Sequence, residues 1–122
     1  MPRVIHFELC CDEPERAAEF YRSVFGWKVE RWAGPVDYWL VTTGVAPEPG
    51  IDGALKRRPA PGLTTHNTIG VASVAASLEQ VVAAGGTVLL PRTAIPRVGY
   101  HAYCKDPEGN VFGLMEDDRQ AR

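Results

Sequence analysis

Displaced by sixty residues, this chain nearly superposes on itself, and both copies carry a histidine at the same point. His6 stands in Val4-Ile5-His6-Phe7-Glu8-Leu9 and His66 in Thr64-Thr65-His66-Asn67-Thr68-Ile69. The same offset pairs Gly26 with Gly86, and Gly53 in Ile51-Asp52-Gly53-Ala54-Leu55 with Gly113 in Phe112-Gly113-Leu114-Met115. Two copies of one module are implied. Duplicated modules bury their apolar faces against each other, and whatever lines the seam appears once from each copy. The two histidines are the first candidates for that seam.

With 122 residues the chain is sized for one compact domain, able to bury a core without staples. Within residues 1–122 the repeat places module one at about 3–58, module two at about 64–116 and a charged tail at 117–122, with Ala60-Pro61-Gly62 as the hinge. A charged fraction of 23% and a net charge of −2, with basic residues scattered apart from Lys56-Arg57-Arg58, give no footprint for a nucleic acid partner. Cys10, Cys11 and Cys104 are odd in number, and adjacent Cys10 and Cys11 are poorly placed to bridge each other. They read as small, partly buried apolar residues in a reducing, cytoplasmic setting. No apolar run approaches the roughly 20 residues that span a bilayer, so no membrane partner is expected.

Residues 3 to 10 alternate as a strand, with His6, Glu8 and Cys10 on one face and Ile5, Phe7 and Leu9 on the other. Asp12 is the expected N-cap of a helix that carries Pro14 in its first turn, repeats Ala17, Phe20, Tyr21, Val24 and Phe25 at helical spacing, and stops at Gly26. Strands follow at Trp27 to Trp32, Tyr38 to Thr42 and Ile51 to Arg57. The second half replays this order. A strand is expected at Thr65 to Val71, a helix at Val74 to Ala84 capped by Ser73 and closed by Gly85-Gly86, and strands at Thr87 to Leu90, Gly99 to Cys104 and Asn110 to Glu116. Asp106-Pro107-Glu108-Gly109-Asn110 has turn chemistry and should close a hairpin. The fold class is α+β, built of two βαβββ modules.

In this order and spacing, the opening His-Phe-Glu-Leu strand, the segment Phe20-Tyr21-Arg22-Ser23-Val24-Phe25-Gly26-Trp27, the Ala84-Gly85-Gly86 helix end and Asp106-Pro107-Glu108-Gly109-Asn110-Val111-Phe112-Gly113-Leu114 are specific. The chain resembles the vicinal oxygen chelate superfamily, which includes glyoxalase I, bleomycin resistance proteins, extradiol dioxygenases and methylmalonyl-CoA epimerase. The resemblance implies mixed and antiparallel sheets curled into a cup with the helices outside, and a pocket within one chain or across a dimer; since isologous dimers are the commonest oligomer, a homodimer is expected. In metal-using members the pocket holds a divalent cation bound from the first and fourth strands of each module. His6 and His66 fall on the first-strand positions, and Gly53 and Gly113, which offer no donor, on the fourth.

A catalytic metal needs about three protein ligands. With His6 and His66 as two, Glu8 is the best third, ahead of His101, Asp52 and Glu116; such a set would suit Zn, Mn, Fe or Ni. Glycine inside a strand marks a bulge or a close approach, so Gly53 and Gly113 are expected to clear the wall of a roomy cup. The favoured reading is a small-molecule-binding protein of the bleomycin resistance type. It would sequester an aromatic or antibiotic-like compound without metal, in a cup lined by His6, Glu8, Tyr38, His66 and Tyr100. The alternative is a metal-dependent lyase or isomerase acting through an enediolate, with His6 and His66 on the ion and Glu8 as the catalytic base. A metal-free enzyme using Glu8 or a histidine as acid or base stays open.

Overall fold

Both βαβββ series are present in a computed structural model that describes residues 2–122. The first comprises β1 (Arg3–Cys11), α1 (Pro14–Phe25), β2 (Lys28–Arg31), β3 (Tyr38–Thr42) and β4 (Gly53–Arg57). The second comprises β5 (Thr65–Gly70), α2 (Val74–Ala83), β6 (Thr87–Ile95), β7 (Gly99–Lys105) and β8 (Val111–Asp117). The chain divides into two compact units. The first is His6–Thr65; the second is His66–Arg122, with which the start of β1, up to Ile5, groups.

In the first unit the strands run in the order β2-β3-β4-β1. β3 pairs antiparallel with β2 and β4, while β1 pairs parallel with β4. A parallel pair needs a long crossover, which α1 and the β2-β3 hairpin supply. One face of this sheet packs against α1 through Cys11, Val29, Trp39, Val41 and Leu55, with Phe7, Leu9 and Trp27 at the margin. Trp39 satisfies its indole by donating to Glu15 on α1 at 2.8 Å, and the Arg31 and Arg57 guanidinium groups flank its ring.

Helix α1 departs from the sequence expectation at its start and along its surface. Glu13, not Asp12, occupies the N-cap and makes no side-chain cap bond. Asp12 is engaged elsewhere, accepting from Arg58 Nε at 3.0 Å. The buried side of the helix runs through Pro14 and Ala18, and Phe20, Val24 and Phe25 are exposed. Small residues let the helix approach the sheet, and the aromatic residues stack on one another instead: Tyr21 lies flat on Trp27 at 4.8 Å between centroids. Gly26 ends the helix with φ +69°, the left-handed conformation that glycine adopts without a Cβ penalty.

The second unit orders its strands β5-β8-β7-β6, with β5 and β8 parallel and the other pairs antiparallel. Its core is Val71, Val74, Ala102, Cys104 and Leu114, with Ile69, Leu78 and Tyr100 against it. Ser73 caps α2 as expected, its hydroxyl accepting from the Ala76 amide at 3.1 Å. Strand β6 continues through Pro91 to Ile95, beyond the expected end at Leu90, because two register shifts along its pairing with β7 absorb a residue that has no N–H to give. β4, in turn, starts two residues later than expected. The Thr43 hydroxyl donates to the Ile51 carbonyl at 2.7 Å and the Thr43 amide to the Asp52 carboxylate at 2.9 Å, closing the loop ahead of the strand.

The β7-β8 connection is the expected hairpin, built around one carboxylate. Asp106 accepts from the Glu108 and Asn110 amides at 2.9 Å and from Asn110 Nδ2 at 3.0 Å, and Gly109 supplies a φ of +87°. The side-chain bond from Asn110 above all, then the backbone donors, holds its carboxyl below the ordinary value. A depressed folded-state pKa adds stability that is present above the unfolded-state value, roughly pH 4, and is lost as pH falls through the folded one. Asp106→Asn should therefore flatten the acid limb of the stability curve. In urea unfolding between neutral pH and the acid transition, wild type loses its advantage over the variant on acidification; a constant difference contradicts the role of Asp106.

Candidate functional site

Parallel pairing fixes which side chains share a face. In the first unit Phe7 stands opposite Gly53, Glu8 opposite Ala54 and Cys10 opposite Lys56, while Tyr38 on β3 stands opposite Lys56. Alternation then puts His6, Glu8, Tyr38, Ala54 and Lys56 on the face away from α1, and Gly53 on the helix side. In the second unit Gly113 stands opposite Thr68 and Tyr103, and so shares the face of His66. The residue equivalent to Gly113 is thus Ala54 rather than Gly53. The sixty-residue offset slips by one on the fourth strand, and a slip of one reverses the face.

The expectation of a wall cleared by glycine is corrected as well. A Cβ on Gly53 would lie 2.5 Å from the Phe7 carbonyl oxygen and 2.6 Å from its ring. One on Gly113 would meet Thr68 Oγ1 at 3.1 Å and Tyr103 at 3.4 Å. Both glycines admit neighbouring protein atoms.

A buried polar network occupies the helix-free face of the first unit. Glu8 is only 4% exposed, and its carboxylate accepts from the Tyr38 hydroxyl. The Lys56 ammonium, its side chain 19% exposed, lies 3.7 Å from the other carboxylate oxygen. His6 Nε2 is 2.9 Å from the Tyr38 oxygen. A phenol has one hydrogen, which goes to Glu8, so His6 donates to Tyr38 through Nε2–H. Trp32 sets its ring edge-on to Tyr38 at 6.1 Å. A buried carboxylate needs a counter-charge and hydrogen bonds, and Lys56 and Tyr38 provide them. Cys10 shares this parity, but burial pushes its thiol pKa up, outweighing the pull of Lys56 in the other direction. All three cysteines are free and buried.

The second unit has its own cluster. His66, 6% exposed, meets the Tyr103 ring edge-on at 5.3 Å, and His101 meets the same ring at 5.6 Å. Tyr100 does not join them. It lies on the α2 side with the core, under the Arg92 guanidinium at 3.6 Å, because β7 sends Tyr100 and Tyr103 to opposite faces. Tyr38 and Tyr100 are therefore not equivalent.

Sequence reasoning does not mark Lys56: its place in a basic run suggests a solvated strand end, and only the β1-β4 register turns it toward Glu8.

Three of the candidate third donors are engaged within the protein. Glu8 is held by Tyr38 and Lys56, Asp52 accepts from Thr43, and Glu116 accepts from the Val74 amide at 2.9 Å at the start of α2. Among the described residues no group of three or more His, Cys, Asp or Glu side chains is arranged to hold an ion. Within each unit the residues present do not fit a metal centre. Two hollows of about 390 and 450 Å³ lie in the first unit, one between the end of β1 and the start of α1, the other inside the 43–52 loop. Neither is lined by His6, Glu8 or Tyr38.

A family model described as a glyoxalase-like domain matches residues 5–115. The chain belongs to the glyoxalase-like family of the vicinal oxygen chelate superfamily. "Putative glyoxylase CFP32" of Mycobacterium bovis and the protein of that name from Mycobacterium tuberculosis are each 32% identical to it over 114 residues. That match covers 89% of this chain and 42% of the relative, so the chain spans less than half of the curated relatives' length. Among solved structures, a methylmalonyl-CoA epimerase in complex with methylmalonyl-CoA and NH4+ is similar with a TM-score of 0.72 at 16% identity, covering 99% of this chain and 98% of that one. A variant of the Streptomyces coelicolor epimerase in complex with 2-nitronate-propionyl-CoA has a TM-score of 0.69 at 18% identity, covering 100% and 99%. At such identities these likenesses establish the shared α+β fold. No helix of the described residues is long and apolar enough to cross a membrane.

In this glyoxalase-like domain, Gly53→Ala tests the register correction. The added methyl has no space beside Phe7, so the variant should lose about 1–3 kcal/mol of unfolding free energy in urea titration. A neutral result would mean that Gly53 faces an open cup.

Proposed function

We propose that this protein binds a small planar or aromatic molecule at the helix-free face of its first unit, with His6 and Tyr38 as contacts and Glu8 and Lys56 holding them in place. The observation that carries this reading is the buried His6–Tyr38–Glu8–Lys56 network. A carboxylate is costly to bury, and the core would be served as well by an apolar residue. Its placement behind two half-buried rings fits a site that fixes the direction of polar contacts while flat surfaces supply most of the area. Small-molecule complexes of the epimerase neighbours support a ligand-binding use of this fold.

Sequestration of the bleomycin resistance type needs only this much. A metal-dependent lyase or isomerase acting through His6 and His66 has less support, since Glu8, Asp52 and Glu116 are already engaged within the protein. His66 belongs to the second unit's own cluster with Tyr103, and Tyr100, on the α2 side, drops out of the proposed ligand contacts.

A thermal shift screen of planar aromatic compounds checks the reading. A ligand present at a hundred times its dissociation constant should stabilise the fold by about 2.7 kcal/mol. His6→Ala and Tyr38→Phe should each cut that response. Equal stabilisation of wild type and both variants would place the ligand elsewhere.

A further inference from the structure

The segment that the repeat leaves outside both modules is tied by its backbone to the turn between β6 and β7, within the second unit. We infer that residues 118–121 are a clasp that holds the 95–98 turn in a conformation its own sequence resists, and that release of the clasp opens the turn and exposes the Arg97–Val98 bond to a protease specific for basic residues.

Pro96 and Arg97 are the central residues of this turn, which the Val98 amide closes by donating to the Ile95 carbonyl at 2.9 Å. Arg97 has φ +66°. A turn with proline second and a positive φ third ordinarily takes glycine at the third position, because a Cβ there crowds the backbone. Arg97 therefore opposes the conformation it occupies. The chain cannot shift on the downstream side to relieve it, since Gly99 lies so close to the Glu116 carbonyl oxygen that no Cβ would fit. The clasp supplies what the turn lacks. Ala121 accepts from the Arg97 amide at 3.0 Å through its carbonyl, and the Asp118 amide donates to the Val98 carbonyl at 3.0 Å, so one short segment holds both a donor and an acceptor of the turn. That segment is folded on itself: the Ala121 amide donates to the Asp118 carbonyl at 3.1 Å, and the Asp118 carboxylate accepts from the Gln120 amide at 2.8 Å. Ala121 is only 3% exposed, which seats the clasp. Two turns joined by two backbone bonds form a small unit, and such units open locally without unfolding the domain. The Arg97 side chain is exposed, so opening presents a ready arginine to a protease.

Residue-resolved hydrogen exchange on the full chain, with trypsin cleavage after Arg97 mapped by mass spectrometry, tests the clasp. Ala121→Asp puts a charge where a methyl group is buried and should undock the segment. Exchange at the Arg97 and Val98 amides should then rise about tenfold, and cleavage after Arg97 by a similar factor, while the amides of β1 and β4 keep their wild-type protection. Arg97→Gly suits the turn, and added to Ala121→Asp it should bring Val98 exchange back to within about threefold of wild type. Unchanged Val98 exchange in Ala121→Asp overturns the inference. So does a double variant whose Val98 exchanges as fast as in Ala121→Asp alone, since Arg97 would then not oppose the turn. Should Ala121→Asp unfold the chain, seen as lost protection in β1 and β4, the milder Asp118→Ala decides, because it removes only the bond to the Gln120 amide. Val98 exchange about threefold faster than wild type supports the clasp, and wild-type exchange overturns it.

Discussion

The register of the parallel β1-β4 pair decides more about this protein than any single contact. With Phe7 opposite Gly53 and Glu8 opposite Ala54, the apolar residues of β1, β3 and β4 meet α1, and the polar ones gather on the other face. A shift by one residue would drive Glu8 and His6 into the helix-packed core and expose Phe7 and Leu9. The close fit of Phe7 over Gly53 guards against that, since only glycine leaves room for the ring and the carbonyl. Packing on one side of the sheet thereby fixes the chemistry on the other.

Burying a carboxylate is the second constraint, and it shapes the site. Glu8 requires Lys56 and Tyr38 near it, and Tyr38 in turn gives His6 an acceptor. Each group orients the next, so the hydrogen-bond directions are properties of the fold and exist before any ligand arrives. Such preorganisation lets a small face discriminate, because the polar groups are already paid their desolvation and need no rearrangement. The second unit differs. Its first-strand histidine meets the Tyr103 ring edge-on, and so does His101. The repeat has kept the scaffold while its two polar faces diverged.

Much of the architecture was legible in the sequence. Alternation placed His6 and Glu8 on one face, Gly26 and Ser73 marked helix ends, and Asp106 to Asn110 announced a hairpin, because these signals are local. What failed was non-local. Counting by sixty could not reveal that the fourth strand is displaced by one residue, so Gly53 was assigned to the wrong face. Tyr100 is expected in the cup beside Tyr38, whereas β7 turns Tyr103 rather than Tyr100 toward His66. Lys56 was hidden in a basic run until strand pairing set it beside Glu8. Asp12 looked like an N-cap because its bond to Arg58 joins residues far apart in sequence.

Tyr38 and Glu8 act as one coupled unit on the helix-free face. A double-mutant cycle in urea unfolding, using Tyr38→Phe, Glu8→Leu, which removes the acceptor, and the pair, measures that coupling directly. Groups sharing one hydrogen-bond network should show an interaction energy of about 0.5–3 kcal/mol. Additivity within about 0.3 kcal/mol would mean the two side chains are independent, and the ordered chain of hydrogen bonds would not exist.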